Sequence, residues 1–375
     1  MGRSRKRTAV VIAAGGTGGH LFPALSVADE VRRMHSQVRV VFVGSRGKIE
    51  SHVVPERGYE FRTIWISGLR RQMSAELLVF PVKVLVSWIQ SLGLLIRLKP
   101  AVVFGSGGYV SGPVVVAAAF LGIPRVIHEQ NSVPGLTTKL LSLIATEIHT
   151  TFEETQKYLP KKKRVIVTGT PTRRELDHVS RVEGAVAFGI DPERPTLLVL
   201  GGSLGARRIN DAVLGILQEL SARAVQIVWQ TGEHDFARVH AATQRYSNVV
   251  VQPFFDRIEF AYAACDLVLC RAGASTIAEL TRIGKPSILV PYPFATADHQ
   301  TQNACLLAKR GAAMMIPDSE LTTKLSEVLF PLLADRVRRD RMAEQARLLA
   351  KPDAAHILAL ALLHYADKSF VEEVV

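Results

Sequence analysis

The sequence predicts an α/β protein built of two open, parallel-sheet halves. Three observations carry this. Apolar β-type runs alternate with helical patterns throughout, which is the rhythm of βαβ units. A strand, a glycine turn and a helix open the chain at residues 9–13, 15–19 and 23–34, and the same succession returns at residues 196–200, 201–205 and 208–220. Between them, residues 168–195 are dense in charge and punctuated by Gly169, Pro171, Pro192 and Pro195, as a linker is.

The first half reads as strands at 9–13, 38–43, 60–64, 101–104, 125–128, 147–150 and 165–167. Helices fit between them at 23–34, 48–57, 73–97, 112–121 and 135–144. The second half reads as strands at 196–200, 225–229, 249–252, 267–270, 287–290 and 313–316. The expected domains are therefore 1–168, a linker 169–195, and 196–351, with a last helix from about residue 352 packing back on the first half. Ligands of such sheets bind beyond the C-terminal strand ends, and two facing halves imply a cleft.

Composition narrows the class. With 375 residues, two domains are the default. Three cysteines, Cys265, Cys270 and Cys305, are too few and too oddly placed for a disulfide framework and fit a reducing cytoplasm. No CxxC or His/Cys spacing points to zinc. The net charge of +12 favours anionic partners, with clusters at 3–7, Arg70-Arg71, 161–164, Arg173-Arg174, Arg207-Arg208 and 336–341. Most of these suit a solvated surface, and no aromatic-interleaved pattern accompanies them, so nucleic acid is not the expected partner. Residues 75–98 are apolar but interrupted by Pro81, Lys83, Gln90 and Arg97, which argues against a spanning helix. Leu77, Phe80, Val84 and Trp88 recur there at helical spacing, either as core or as a membrane-surface face.

The first glycine loop, Gly15-Gly16-Thr17-Gly18-Gly19-His20, leaves backbone N–H groups uncovered before a helix N-terminus, a ready anion site with an imidazole beside it. A tight turn that needs positive φ is the plain alternative. Dinucleotide binding is disfavoured, because the third glycine of G-x-G-x-x-G is missing and the second strand ends in Val43-Gly44 without an acid. A second loop, Gly105-Ser106-Gly107-Gly108-Tyr109, also follows a strand, and His128-Glu129-Gln130-Asn131 ends another; there a polar ligand and a helix-entry turn capped by Asn131 or Ser132 both fit. Arg173 on a rigid turn suits a diphosphate. Ser203 in the second-half loop has a hydroxyl to offer a phosphate. Ala274-Ser275-Thr276 opens a helix, and Glu279 one turn in suits two vicinal hydroxyls, although Thr276-x-x-Glu279 also reads as a capping box. Asp298-His299-Gln300 offers sugar-hydroxyl partners or a helix cap. No D-x-D pair holds a metal on a diphosphate.

In order, GGTGGHLFPA, GGYVSGP, HEQNSVPGLTTK, GTPTR, GGSLGA, CRAGASTIAE and DHQTQNA resemble the bacterial MurG family from about Val10 to about Ile316. The resemblance implies a GT-B fold and an inverting, metal-independent N-acetylglucosaminyltransferase of peptidoglycan synthesis. It would move GlcNAc from UDP-GlcNAc to the C4 hydroxyl of MurNAc in undecaprenyl-pyrophosphoryl-MurNAc-pentapeptide (lipid I), giving lipid II. It implies a peripheral enzyme on the cytoplasmic face of the inner membrane, touching anionic lipid and other cell-wall synthesis proteins, with no cofactor beyond its substrates. By motif, His20 matches the general base. Thr17, Gly18, Gly19, Asn131, Arg173, Ser203, Phe255, Ala274, Ser275, Thr276, Glu279, His299 and Gln300 match donor contacts, Phe255 through its backbone on uracil and Glu279 on the ribose. Gly15, Gly16, Tyr109, His128 and Glu129 match the acceptor side. Leu204, Thr170, Phe255 and His299 depart from the residues common in the family, and none of these removes a catalytic group. The rivals are a UDP-GlcNAc epimerase of the same fold and a non-catalytic sugar-nucleotide-binding scaffold at the membrane.

Overall fold

A computed structural model describes residues 8–68, 76–202 and 205–367 of the chain. Ser203, Leu204, Arg70, Arg71, the basic run 3–7 and the side chain of Leu77 lie outside the described residues. The chain divides into two compact units, Met1–Thr172 with Lys351–Val375, and Arg173–Ala350.

The first unit holds a seven-stranded sheet in the order β3-β2-β1-β4-β5-β6-β7. Its strands are β1 (Ala9–Ala13), β2 (Arg39–Gly44), β3 (Glu60–Thr63), β4 (Val102–Gly105), β5 (Arg125–Glu129), β6 (Glu147–Thr150) and β7 (Val165–Val167). Every pairing is parallel. Both faces are covered, which is why the strands read as unbroken apolar runs. Val10 and Ile12 pack under Leu21, Leu25, Leu358 and Leu362, while Val11 and Ala13 face Leu95, Val110 and Val114. The helix Ala354–Ala366 thus completes the core of the first unit.

The second unit repeats the plan with six parallel strands in the order β10-β9-β8-β11-β12-β13. These are β8 (Thr196–Leu200), β9 (Gln226–Gln230), β10 (Val249–Gln252), β11 (Leu267–Arg271), β12 (Ser287–Val290) and β13 (Met314–Met315). In both sheets the order reverses at the first strand, between β1 and β4 and between β8 and β11. A crevice opens outside the C-terminal ends of such a pair, and ligands of open α/β sheets bind there.

At the two glycine loops of the first unit the helices start earlier than the sequence reading. The helix expected from Pro23 begins at Gly18, and that expected from Gly112 begins at Gly108. Proline suggests a first helical position, yet Pro23 and Pro113 sit inside their helices. The loop glycines form the first turn, where propensity matters least because backbone N–H groups have no intrahelical partner there anyway. His20 and Tyr109 are therefore first-turn residues.

The helix Glu76–Leu98 splits the set read at helical spacing, with Val84 exposed and Trp88 turned to the core. Trp88, Leu92 and Leu95 pack on the core, and Trp88 meets Phe120 edge-on at 5.8 Å. The exposed apolar residues are Val79, Val82, Val84, Leu85, Ile89 and Ile96. Residues 79–98 are long and apolar enough to cross a membrane by length and composition, but one face of that stretch is committed to the unit.

Candidate active site

At the β1/β4 switch point the first glycine loop is wired from beneath. Glu50, fully buried, accepts from the Gly16 N–H (3.1 Å), the Ser45 N–H (3.1 Å) and the Ser45 hydroxyl (2.7 Å). The Ser45 Oγ lies 3.1 Å from the Tyr109 hydroxyl. Gly16 has φ +90°, and a Cβ there would stand 2.6 Å from the Tyr109 ring; one at Gly15 would strike the Glu50 carboxylate. The expectation of uncovered N–H groups is therefore corrected at Gly16, whose amide is committed to an internal carboxylate. Glu50 went unnoticed in the sequence because it lies 34 residues away with no local pattern. Thr17 and Gly19 are exposed and Gly18 is buried at the helix entrance. Burial raises the Tyr109 phenol above its ordinary range.

His20 is half-buried, and its Nδ1 lies 3.1 Å from Oε1 of the buried Gln130. Gln130 follows β5 in the HEQN stretch, whose members do different work. His128 is 1 % exposed, and its Nε2 donates to the Gly169 carbonyl at 2.9 Å, while its Nδ1 is buried with no hydrogen-bond partner among the described residues. Burial pushes its pKa down to about 3, against the Gly169 bond and with help from His149 and His20. Glu129 accepts from the Asn131 N–H (3.0 Å), the Asn131 side-chain amide (3.1 Å) and the Gly135 N–H (3.2 Å). Helix capping by Asn131 or Ser132 is not what the structure contains: the helix Leu136–Ser142 has Gly135 at its N-cap, and Glu129 braces the turn instead.

In the second unit the β8/β11 switch point brings together Arg173, Glu259, Tyr262 and Glu279. The helix Ala274–Ile283 has Gly273 as its N-cap and no side-chain cap, so Thr276 and Glu279 lie inside it and form no capping box. The N–H groups of Ala274, Ser275 and Thr276 precede the first intrahelical bond, from Ile277 to Gly273 at 2.9 Å. Glu279 accepts from the Tyr262 hydroxyl at 2.9 Å and faces Arg173 Nε at 3.8 Å. Arg173 Nη1 also lies 3.9 Å from Glu259 Oε2. Burial raises the Glu279 carboxyl above the usual range, opposed by Arg173 and by the Tyr262 hydrogen bond. Burial likewise drives the Tyr262 phenol well up. Glu259 and Tyr262 were missed in the sequence, where the helix Ile258–Ala264 shows only apolar spacing around them.

Phe255 is buried edge-on against Phe188 at 5.2 Å, and its N–H donates to Gln230 Oε1 at 3.0 Å. Gln230, at the end of β9, also donates to the Gly202 carbonyl at 3.2 Å and so ties the second glycine loop to the 255 turn. Ala297 and Asp298 both adopt left-handed φ (52° and 53°), a strained pair just before the helix His299–Lys309. Asp298 does not cap the backbone; it accepts from the Thr301 hydroxyl at 2.6 Å. His299 Nδ1 lies 2.7 Å from the Thr296 carbonyl, and Gln300 accepts from the Tyr292 N–H at 3.0 Å.

Residues 10–150 match the glycosyltransferase family 28 N-terminal domain, and residues 196–358 match its C-terminal domain. The UDP-N-acetylglucosamine–N-acetylmuramyl-(pentapeptide) pyrophosphoryl-undecaprenol N-acetylglucosamine transferase of Chlorobium luteolum is 46% identical over 364 residues, 96% of this chain and 99% of that protein. The crystal structure of Acinetobacter baumannii MurG superposes with a TM-score of 0.73 at 31% identity, covering 95% of this chain and 99% of that one. A UDP-N-acetylglucosamine 2-epimerase superposes at 0.62 with 14% identity, over 96% and 97% of the two chains, a likeness of fold alone. With two GT-B-type parallel-sheet units, both family 28 domains and a relative of this identity along nearly its whole length, the chain belongs to the MurG family of glycosyltransferases.

Proposed function

We propose that this chain transfers GlcNAc from UDP-GlcNAc to the C4 hydroxyl of MurNAc in lipid I, with inversion, to give lipid II. The observation that carries the reading is the 46% identity, across nearly the full length, to a transferase bearing that name. An epimerase has no such support beyond the shared fold.

The chemistry is a direct displacement. The acceptor O4 forms a bond to the anomeric carbon as the bond from that carbon to the UDP oxygen breaks. The hydroxyl proton passes to His20 and then to water, and UDP leaves with the electron pair. Thr17, Gly18, Gly19 and Asn131 border the sugar in transit; Gly15, Gly16, Tyr109, His128 and Glu129 shape the acceptor side, of which His128 and Glu129 act from inside the fold. Arg173, Ser203 and the N–H groups of Ala274, Ser275 and Thr276 receive the diphosphate charge, so no metal is required. Glu279 accepts from the ribose hydroxyls, the Phe255 backbone borders the uracil, and His299 and Gln300 meet the sugar hydroxyls. The exposed face of Glu76–Leu98, with Trp65 and Lys83 beside it, rests on the cytoplasmic surface of an anionic membrane.

One assay tests the reading: radiolabelled UDP-GlcNAc with a lipid I analogue, with and without EDTA. Label in the lipid product at equal rates in both arms is expected. Free sugar or a new isomer without acceptor would overturn the transferase reading, and loss of transfer in EDTA the metal-free one.

A further inference from the structure

Gln130 has no part in the displacement as written, yet its side chain meets the His20 ring. Its amide orientation is assigned by what surrounds it. Gln130 Nε2 lies 2.8 Å from the Ser106 carbonyl oxygen, which only accepts, so the amide nitrogen points there and Oε1 points at His20. An amide oxygen also only accepts, so the His20 Nδ1, 3.1 Å away, carries a proton. The lone pair of the neutral ring then sits on Nε2. The circuit closes through Ser106, whose hydroxyl donates to the His20 carbonyl at 2.9 Å and accepts from Gln130 Nε2 at 3.3 Å. The second glycine loop makes room for it. Gly107 has φ +86°, and a Cβ there would stand 2.7 Å from His20 Nδ1 and 3.1 Å from Gln130 Oε1.

We infer that Gln130, oriented by Ser106, is a positioning residue that fixes His20 in the Nδ1–H tautomer and so presents Nε2 as the base. Free histidine prefers the opposite tautomer, so without Gln130 the ring would mostly hold its proton on the nitrogen that must accept one. Because the partner is an amide and not a carboxylate, the ring is oriented without a counter-charge that would stabilise imidazolium. This rests on the reading of His20 as the base. In turnover, Nε2 takes the O4 proton, Nδ1 keeps its own bonded to Gln130, and Nε2 later releases its proton to water.

The test reads the tautomer directly. Long-range proton–nitrogen spectra of the full chain with nitrogen-15 histidine, at pH 8, should give His20 a protonated Nδ1 and an unprotonated Nε2; the spectrum of His20→Gln identifies its signals. Gln130→Met should shift that signal toward the Nε2–H form and lower kcat about 10-fold or more, with KM for UDP-GlcNAc within about twofold. Gln130→Glu should move the acid limb of the kcat–pH profile to higher pH, because a carboxylate favours the charged ring. A wild-type His20 protonated on Nε2 would overturn the inference with no variant needed, and so would a Gln130→Met protein that keeps both tautomer and kcat. If His20→Ala retains turnover, the base reading fails, while the tautomer spectrum still stands or falls by itself.

Discussion

The two switch-point crevices are braced in different ways. At β1/β4 the groups are locked to one another at hydrogen-bond distance: Glu50 to Gly16 at 3.1 Å and to Ser45 at 2.7 Å, and His20 to Gln130 at 3.1 Å. At β8/β11 Tyr262 holds Glu279 at 2.9 Å, and the guanidinium of Arg173 stands at ion-pair distance, 3.8 Å from Glu279 and 3.9 Å from Glu259. The first crevice is preorganised around one ring, and the second sets Arg173 beside Glu279, the groups that the proposed reading gives to the nucleotide. Damage to the first should therefore appear in turnover, and damage to the second in nucleotide affinity.

The sharpest break of that contrast is His20→Ala. Loss of a general base costs on the order of 10²-fold in kcat, and UDP-GlcNAc affinity, measured by calorimetry, should stay within about twofold. Near-normal turnover would remove His20 as the base; a large affinity loss would erase the division of labour between the crevices.

The architecture was legible because parallel strands buried on both faces leave continuous apolar runs, and Val10–Ile12 or Leu197–Val199 admit few other readings. The glycine loops and the HEQN stretch were legible for their residue types. Their wiring was not. Glu50 reaches Gly16 across 34 residues and Gln130 reaches His20 across 110, separations at which local patterning is silent. The capping-box reading of Thr276 and Glu279 failed for a local reason: the helix begins at Ala274, two residues before Thr276, so the spacing alone could not tell a cap from a side chain inside the helix. Periodicity left Trp88 open between core and membrane face; its packing on Phe120 decides for the core, a contact between helices that periodicity within one helix does not contain.

The second effect in size separates the units by pH. His128 is held neutral, with a folded pKa of about 3 against about 6.5 when unfolded. A depressed folded pKa means that the unfolded chain binds the extra proton. Its stabilising share is present above about pH 6.5 and is lost as pH falls toward 3. At pH 5 the loss is about 2 kcal/mol. Urea unfolding followed at pH 7.5 and pH 5 should show the first unit weakening, and His128→Asn should flatten that dependence. A first unit equally stable at both pH values would mean that the His128 ring is hydrated and not sealed.

Glu279 carries the opposite sign and the smallest effect. Its carboxyl is raised by burial, so the folded second unit holds the proton more tightly than the unfolded chain does. Its stabilising share is full below about pH 4.5, the unfolded value, and is lost as pH rises through the raised folded one. Glu279→Gln removes that penalty while keeping the shape and an acceptor for Tyr262, so at pH 8 the apo second unit should become more stable. The same change replaces a charged acceptor with a neutral one, and UDP affinity should fall about 10-fold, the difference between a charged and a neutral hydrogen bond to the ribose. A variant that binds UDP as tightly as the parent would leave Glu279 as a purely internal partner of Tyr262 and Arg173. One that loses both stability and affinity would mean that the ion pair with Arg173, despite its 3.8 Å spacing, holds the unit together. Stability gained with affinity lost is the signature of a carboxylate kept in a costly place for its ligand.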